Sequence, residues 1–213
     1  MSERKNIFLD LDNTIIFSEL CTPDVMKSAT KFHYEFISPY VTIARPHLQQ
    51  FLDYLFENYN VCIWTAASKP YALMIYQKFI KKFGVDRQIQ LLLFNDHCEI
   101  SKRETGHTKS LKMLWEYWKI PGYTKENTYI IDDLKEVYDT QPNNCFPIKE
   151  FKMQNGENDK ELLKMINTLE EHKWSTPKTT NNTSFIDSKD VVTKNGDNKL
   201  TKLTTEQNNP KQS

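Results

Sequence analysis

Charge of one sign is what this sequence most lacks. Its 213 residues carry 28 lysines and arginines against 28 aspartates and glutamates. Net charge therefore argues for neither a nucleic-acid partner nor a strongly acidic one, and any basic patch has to be local. Cysteine is scarce as well. Cys21, Cys62, Cys98 and Cys145 are scattered, without close cysteine or histidine partners at metal-ligand spacing, which excludes the usual zinc motifs and reads as free thiols of a reducing compartment. Long hydrophobic runs are missing too. After Lys5 the first apolar run is cut by Asp10, too soon for a secretory signal core, and no later segment reaches the length of a membrane span. The expectation is a soluble intracellular protein. With 38% hydrophobic and 12% aromatic residues, the chain can bury one substantial core and carry an appendage.

What is present is a set of short apolar runs that end on polar groups. Asn6-Ile7-Phe8-Leu9 has the look of a strand buried on both faces of a parallel sheet, and it stops at Asp10-Leu11-Asp12-Asn13-Thr14. A carboxylate in mid-core is costly, so the chain leaves the core here. In an open α/β sheet the crevice beyond the carboxyl ends of the strands is where ligands sit, and two carboxylates there suit a divalent cation and a phosphate. The same residues also suit a plain turn with an Asx cap. The rest of the chain has to supply partners before the first reading gains weight.

Asn60-Val61-Cys62-Ile63-Trp64 is a second such run, ending at Thr65-Ala66-Ala67-Ser68. Ser68 is placed to cap a helix from Lys69 to Phe83, with Pro70 in its first turn and Gly84 as its stop, which frees Thr65 for another task. Ile89 to Phe94 is a third run, and Asn95 to His107 reads as a hairpin or loop. Thr108 then starts a helix through Leu111, Leu114 and Trp118, which puts Lys109 in the first turn, against the helix dipole. Either an anion lies opposite that lysine or it is a solvated surface residue. Thr128-Tyr129-Ile130-Ile131 is the fourth run and ends on Asp132-Asp133, of which Asp132 could equally cap a helix from Leu134 to Tyr138.

Other segments fill in the architecture. Pro46 is placed to open a helix that runs to Asn58, with Leu48, Phe51, Leu52, Leu55 and Phe56 at helical spacing. Between Ile15 and Ala44 the residues Phe32, Tyr34, Phe36 and Tyr40 form an aromatic stripe that reads as core packing in a half-buried strand, with a substrate platform as the alternative. Cys145 to Ile148 is an edge strand, and Asp159 to His172 a closing amphipathic helix with Leu162, Leu163, Ile166 and Leu169 inward. From Ser175 the composition turns to Thr, Asn, Lys and Asp, the signature of a disordered polar tail. The boundaries are thus a domain over 1–174 and a tail over 175–213.

Taken together, Asp10-Leu11-Asp12-Asn13-Thr14, Ile63-Trp64-Thr65-Ala66-Ala67-Ser68, Lys109 and Ile131-Asp132-Asp133 resemble, in order and spacing, the four motifs of haloacid-dehalogenase-like phosphatases. Arg45-Pro46-His47, Lys69-Pro70-Tyr71-Ala72 and the stretch from Asn143 to Phe151 narrow the resemblance to the NLI-interacting-factor or FCP/SCP-like branch. That branch acts on the C-terminal domain of RNA polymerase II and on other phosphoproteins. The resemblance covers about residues 5 to 172. It departs from the branch after Asp132-Asp133, where Leu134-Lys135 stand in place of the common Ser-Pro, and no BRCT-like module is visible.

The resemblance implies a three-layer, Rossmann-like α/β domain with a central, mostly parallel sheet, helices on both faces, a small β insertion and no large cap. It implies that Asp10 is the nucleophile, forming an aspartyl phosphate, and that Asp12 is the acid and then the base. Thr65 and Lys109 would serve the transferring group, with Thr14, Thr65, Ala66 and Lys109 around the substrate phosphate. Mg2+ would be held by Asp10, Asp12 through its main-chain carbonyl, and Asp133, with Asp132 as support or ligand. The activity implied is a Mg2+-dependent phosphoserine/phosphothreonine protein phosphatase, a monomer without membrane or direct nucleic-acid contact. A phosphatase for a small molecule or nucleic-acid end, and a phosphoprotein-binding scaffold without turnover, are the alternatives.

Overall fold

The computed structural model of the chain describes residues 4–81, 85, 87–172, 192–194 and 200–202. Two compact units divide it, Met1–Pro177 and Lys178–Ser213. In chain order the first runs β1 (Asn6–Leu9), β2 (Ile16–Leu20), α1 (Pro23–Ala29), β3 (Tyr34–Ile37), β4 (Tyr40–Ala44), α2 (Leu48–Asn58), β5 (Asn60–Trp64), α3 (Lys69–Ile75), β6 (Leu92–Leu93), α4 (Asn95–Thr105), β7 (Thr128–Asp132), α5 (Lys135–Thr140), β8 (Cys145–Pro147) and α6 (Glu161–Glu171). In the second, β9 (Val192–Lys194) pairs antiparallel with β10 (Leu200–Lys202). The expectation of disorder from residue 175 falls otherwise outside the described residues. Among those described, no helix is long and apolar enough to cross a membrane.

The apolar runs form a five-stranded sheet in the order β6-β5-β1-β7-β8, every neighbouring pair parallel. Alternate side chains go to opposite faces. Ile7, Leu9, Val61, Ile63, Tyr129 and Ile131 meet α2 and α6 through Phe51, Leu52, Leu55, Leu162, Met165 and Leu169. On the other face Phe8 packs against Trp64 and Tyr123, and Trp64 against Trp118. This is the doubly wound arrangement with helices on both faces. The strand order reverses beside β1, since the chain moves outward through β5 and β6 and then returns to β7 and β8, so the crevice lies at the carboxyl ends of β1 and β7.

The insertion between β1 and α2 is a second sheet, β2-β4-β3, antiparallel throughout. Here the aromatic stripe departs from its expected place in the core. Phe36 is 57% exposed, and Tyr34 and Tyr40 are well exposed too, while Phe32 packs edge-on against Phe151. Tyr34 and Phe36 share a face with the buried Ile43 and Val41, their cross-strand partners. However, β3 is an edge strand, and the cover supplied by Ala29 and Phe151 reaches only the middle strand.

Three further expectations shift. The helix after Pro46 starts at Leu48, because His47 takes a left-handed conformation (φ 66°) as its N-cap and leaves Pro46 in the preceding turn. Asn95 to Thr105 is the helix α4 and not a loop; it buries only His97, Cys98 and Ser101 and so carries no apolar stripe to announce itself. The third run shrinks to Leu92–Leu93 at the sheet edge. In α6, Met165 is buried where Leu163 and Ile166 are only half-buried. Helix α3 widens into a π-helical turn over Tyr76–Ile80 and ends there, because Lys81 is extended, short of the expected end at Phe83; the expected stop Gly84 falls outside the described residues.

One buried ion pair ties the insertion to the C-terminal part of the domain. Arg45, 1% exposed, donates to both carboxylate oxygens of Asp159 at 2.9 and 3.0 Å, and to the carbonyls of Thr14 and Lys149, each at 2.8 Å. Burial works to raise the Asp159 carboxyl, yet the Arg45 bonds hold it below the ordinary carboxylate value. Its stabilising effect is complete above that ordinary value and is lost as pH falls through the lowered one. Asp159→Ala leaves a buried guanidinium unpaired, so it is expected to lower unfolding free energy by about 3–5 kcal/mol in urea titrations near neutral pH, with the difference from the parent shrinking in acid.

Candidate active site

β1 delivers Asp10 to the crevice, and its amide donates to the Ile131 carbonyl at 3.1 Å, which locks it to the end of β7. The next strand ends fall in the same rim: Leu9 lies opposite both Ile63 and Ile131, so Asp10, Thr65 and Asp132 come together although 122 positions separate the first from the last. Asn13, at φ 61°, turns the chain back so that its amide reaches the Ile16 carbonyl. The chain does turn here, but through backbone bonds to the Leu11 and Ile16 carbonyls and not through the expected Asx cap, since Asp12 Oδ1 is taken by Tyr71.

Lys109 is the centre of the cluster. Its Nζ donates to Asp10 Oδ1 at 2.5 Å and to Asp132 Oδ2 at 2.7 Å, and the lysine is 2% exposed. It is not a first-turn helical residue. Its backbone is left-handed (φ 49°), in a turn after α4, and the following helical turn is a π-type one over Met113–Tyr117. Gln141 fixes this turn from both sides, donating to the Lys109 carbonyl at 2.9 Å and accepting from the Leu111 amide at 2.8 Å. Burial alone would pull the ammonium down; the two carboxylates overcome it and hold Lys109 above the ordinary lysine range.

The acids differ in environment. Asp132 accepts from the Leu134 amide at 2.9 Å on Oδ1 while Oδ2 faces Lys109, so both its oxygens are engaged. Leu134 and not Asp132 is the N-cap of α5, so the expected cap is replaced by this bond within the turn. Burial and the Asp10 charge push its carboxyl upward against Lys109 and the Leu134 amide. Asp133 is half-buried and accepts from the Thr14 hydroxyl at 3.0 Å on Oδ1; burial, then the Asp10 charge, raises it. Asp12 stands apart, with Oδ1 accepting from Tyr71 at 2.9 Å. Burial first, then the Asp10 charge, pushes its carboxyl up to about 6 from 3.8, against the Tyr71 bond and Lys109.

Among the other anticipated residues, Thr14 is fully buried and serves Asp133. Thr65 is 1% exposed; its hydroxyl accepts from the Ala67 amide at 3.1 Å, and Ala66 is exposed in the same turn. Ser68 does sit at the N-cap of α3, but its side chain makes no cap bond, so the turn is held by Thr65 instead. Tyr71 and Gln141 were not singled out as site residues by sequence. Tyr71 entered only as part of the Lys69-Pro70-Tyr71-Ala72 resemblance, without a role, and a glutamine after a short helix carries no motif of its own.

A carboxylate at the end of the first strand of a doubly wound sheet, a second acid two residues on, and a buried lysine shared with a third define the haloacid-dehalogenase-like class. Within it, the profile of the NLI interacting factor-like phosphatase family matches residues 5–180, and the chain belongs to that family. The CTD phosphatase-like protein 355R of Invertebrate iridescent virus 6 is 48% identical over 179 residues, covering 79% of this chain and 98% of that protein. Its counterpart in Invertebrate iridescent virus 3 is 39% identical over 185 residues, covering 81% and 98%. The solved structure of Fcp1, an essential RNA polymerase II CTD phosphatase, shares the fold at a TM-score of 0.52 and 22% identity. That match covers 82% of this chain and 55% of the other.

Removing the central cation tests the electrostatics directly. Lys109→Met leaves two buried carboxylates facing each other and is expected to cost about 3–5 kcal/mol at pH 8 in chemical denaturation. The loss should be smaller at pH 5, where a proton on Asp132, whose carboxyl is already pushed upward, relieves the repulsion.

Proposed function

We propose that the protein is a Mg2+-dependent phosphoserine/phosphothreonine protein phosphatase that works through an aspartyl phosphate on Asp10. The observation that carries the reading is the division of labour at the end of β1: Asp10 is held against a buried ammonium, and Asp12 retains a proton up to about pH 6. Lys109 engages Asp10 Oδ1, so Oδ2 is the oxygen assigned to attack on phosphorus. The bond from phosphorus to the serine or threonine oxygen breaks, its electron pair leaves with that oxygen, and the Asp12 proton is transferred to it. Water then attacks the phosphorus, its proton goes to Asp12, and the Asp10 carboxylate is released. Lys109 offsets the charge on Asp10 and on the phosphoryl group throughout.

The donor set fits a hard divalent cation. Asp10, Asp132 and Asp133 each offer a carboxylate oxygen, and these lie within 4.8 Å of one another. Asp133 is open on one side for the waters Mg2+ keeps. Because both Asp132 oxygens already have partners, Asp10 and Asp133 would hold the ion directly, with the Asp12 carbonyl beside them and Asp132 in support. Bound there, Mg2+ supplies positive charge for the phosphoryl oxygens.

The substrate class rests on the opening. A cleft of about 480 Å³ starts at Asp12 and is walled by Ile37, Tyr40, Pro70 and Met74, with room for residues flanking a phosphoserine. The names of the viral relatives and of Fcp1 make a phosphorylated RNA polymerase II C-terminal domain a natural first peptide to try.

Asp10→Asn is expected to abolish phosphate release from phosphopeptides and to leave no acid-stable phosphoenzyme; turnover in that variant would overturn the mechanism. Treatment with EDTA should remove activity and Mg2+ restore it. Because Asp12 carries the proton below about pH 6, the initial burst of alcohol release should weaken as pH rises through that value.

A further inference from the structure

The mechanism leaves one buried polar array unused. Beyond Asp12 lies a row of hydroxyls: Tyr71 Oη is 2.9 Å from Asp12 Oδ1, Ser18 Oγ is 2.6 Å from Tyr71 Oη, and Thr42 Oγ1 is 2.7 Å from Ser18 Oγ. Ser18 and Thr42 are cross-strand partners on β2 and β4, so the row joins the antiparallel insertion to the acid of the main sheet. Thr42 is fully buried, and Ser18 and Tyr71 are half-buried.

With Asp12 ionised, proton counting sets the direction of the row. A tyrosine has one hydroxyl proton, and Tyr71 gives it to Asp12, whose Oδ1 accepts. Tyr71 Oη must then accept from Ser18, and Ser18, with its own single proton committed, must accept from Thr42. The order is Thr42 to Ser18 to Tyr71 to Asp12, each hydroxyl polarised by the one before it. In that order Oδ1 is occupied as an acceptor, which leaves Oδ2 as the oxygen without a bond in the row.

We infer that Ser18 and Tyr71 are positioning residues: the insertion sheet supplies an ordered hydroxyl relay that fixes which Asp12 oxygen carries the proton to the leaving group. The inference rests on the phosphatase reading for its catalytic consequence. The geometry of the relay stands independently of it.

Leaving-group dependence separates this role from a structural or substrate-binding one. A p-nitrophenolate leaves without needing a proton, whereas a serine alkoxide does not. Tyr71→Phe is expected to raise the ratio of kcat for p-nitrophenyl phosphate to kcat for a phosphoserine peptide about tenfold or more. Ser18→Ala should raise it in the same direction by less, and Ser18→Thr, which keeps the hydroxyl, should return the ratio to the parent value. Equal losses of kcat on both substrates, or a change confined to the peptide KM, would overturn the inference. If the unaltered protein turns over neither substrate, the phosphatase reading fails, and the relay is then decided by NMR on [13Cζ]tyrosine-labelled protein in mixed H2O and D2O. A slowly exchanging Tyr71 hydroxyl, seen as two Cζ lines, is expected in the parent chain and should collapse to one in Ser18→Ala; a single line in the parent chain would overturn the relay.

Discussion

The ammonium of Lys109, held between Asp10 and Asp132, is the interaction on which the site depends. Three ionisable groups with 2–4% exposure or less could not share so small a volume if all carried one sign. One cation between two acids makes the volume tolerable and leaves a net negative charge, to which Asp133 adds. That surplus suits the divalent ion of the proposed function, and the Asp10 charge adds to burial in raising Asp12. On the proposed reading, the nucleophile is thus paired by Lys109 while burial and the Asp10 charge together raise the acid.

The fold's task is to hold that set still. Parallel pairing puts Asp10, Thr65 and Asp132 on one rim without any side chain having to reach far, while the lysine comes from a left-handed turn clamped by Gln141. Arg45 secures the opposite flank, binding the Thr14 carbonyl and Asp159 at once. As Thr14 in turn holds Asp133, a guanidinium outside the chemistry reaches the acidic cluster through one residue. Such a buried pair is weak support for overall stability compared with an apolar substitute, but it fixes one arrangement, because breaking either partner strands a charge.

Much of this could be read from the sequence, for a physical reason. A strand buried on both faces must be apolar, so the residues at which Asn6–Leu9, Asn60–Trp64 and Thr128–Ile131 stop being apolar mark the rim of the sheet and name Asp10, Thr65 and Asp132. Elements that bury little were illegible. Helix α4 has no stripe, and β3 shows strand alternation without the burial that alternation usually signals, because period alone does not tell an edge from a middle strand. Lys109 was noticed for a helix dipole it does not oppose. Its partners were correctly sought among anions, but the turn that carries it depends on Gln141, more than 30 positions away.

The small sheet illustrates the difference between what a pattern suggests and what contacts decide. Its exposed aromatic edge looked like core, whereas the two hydroxyls of Ser18 and Thr42 looked like nothing in sequence, being ordinary strand residues. In the folded chain they sit side by side within reach of Tyr71. The insertion adds Ile16, Ile37 and Ala44 to the main core, walls the cleft with Ile37 and Tyr40, and reaches Asp12 Oδ1 through Ser18 and Tyr71. On the proposed reading, a cleft without a large cap among the described residues admits a bulky phosphorylated chain and leaves the Asp12 side open to water. A row of hydroxyls that fixes the donor's orientation from behind answers that exposure without closing the front, so an open cleft and an ordered acid become compatible.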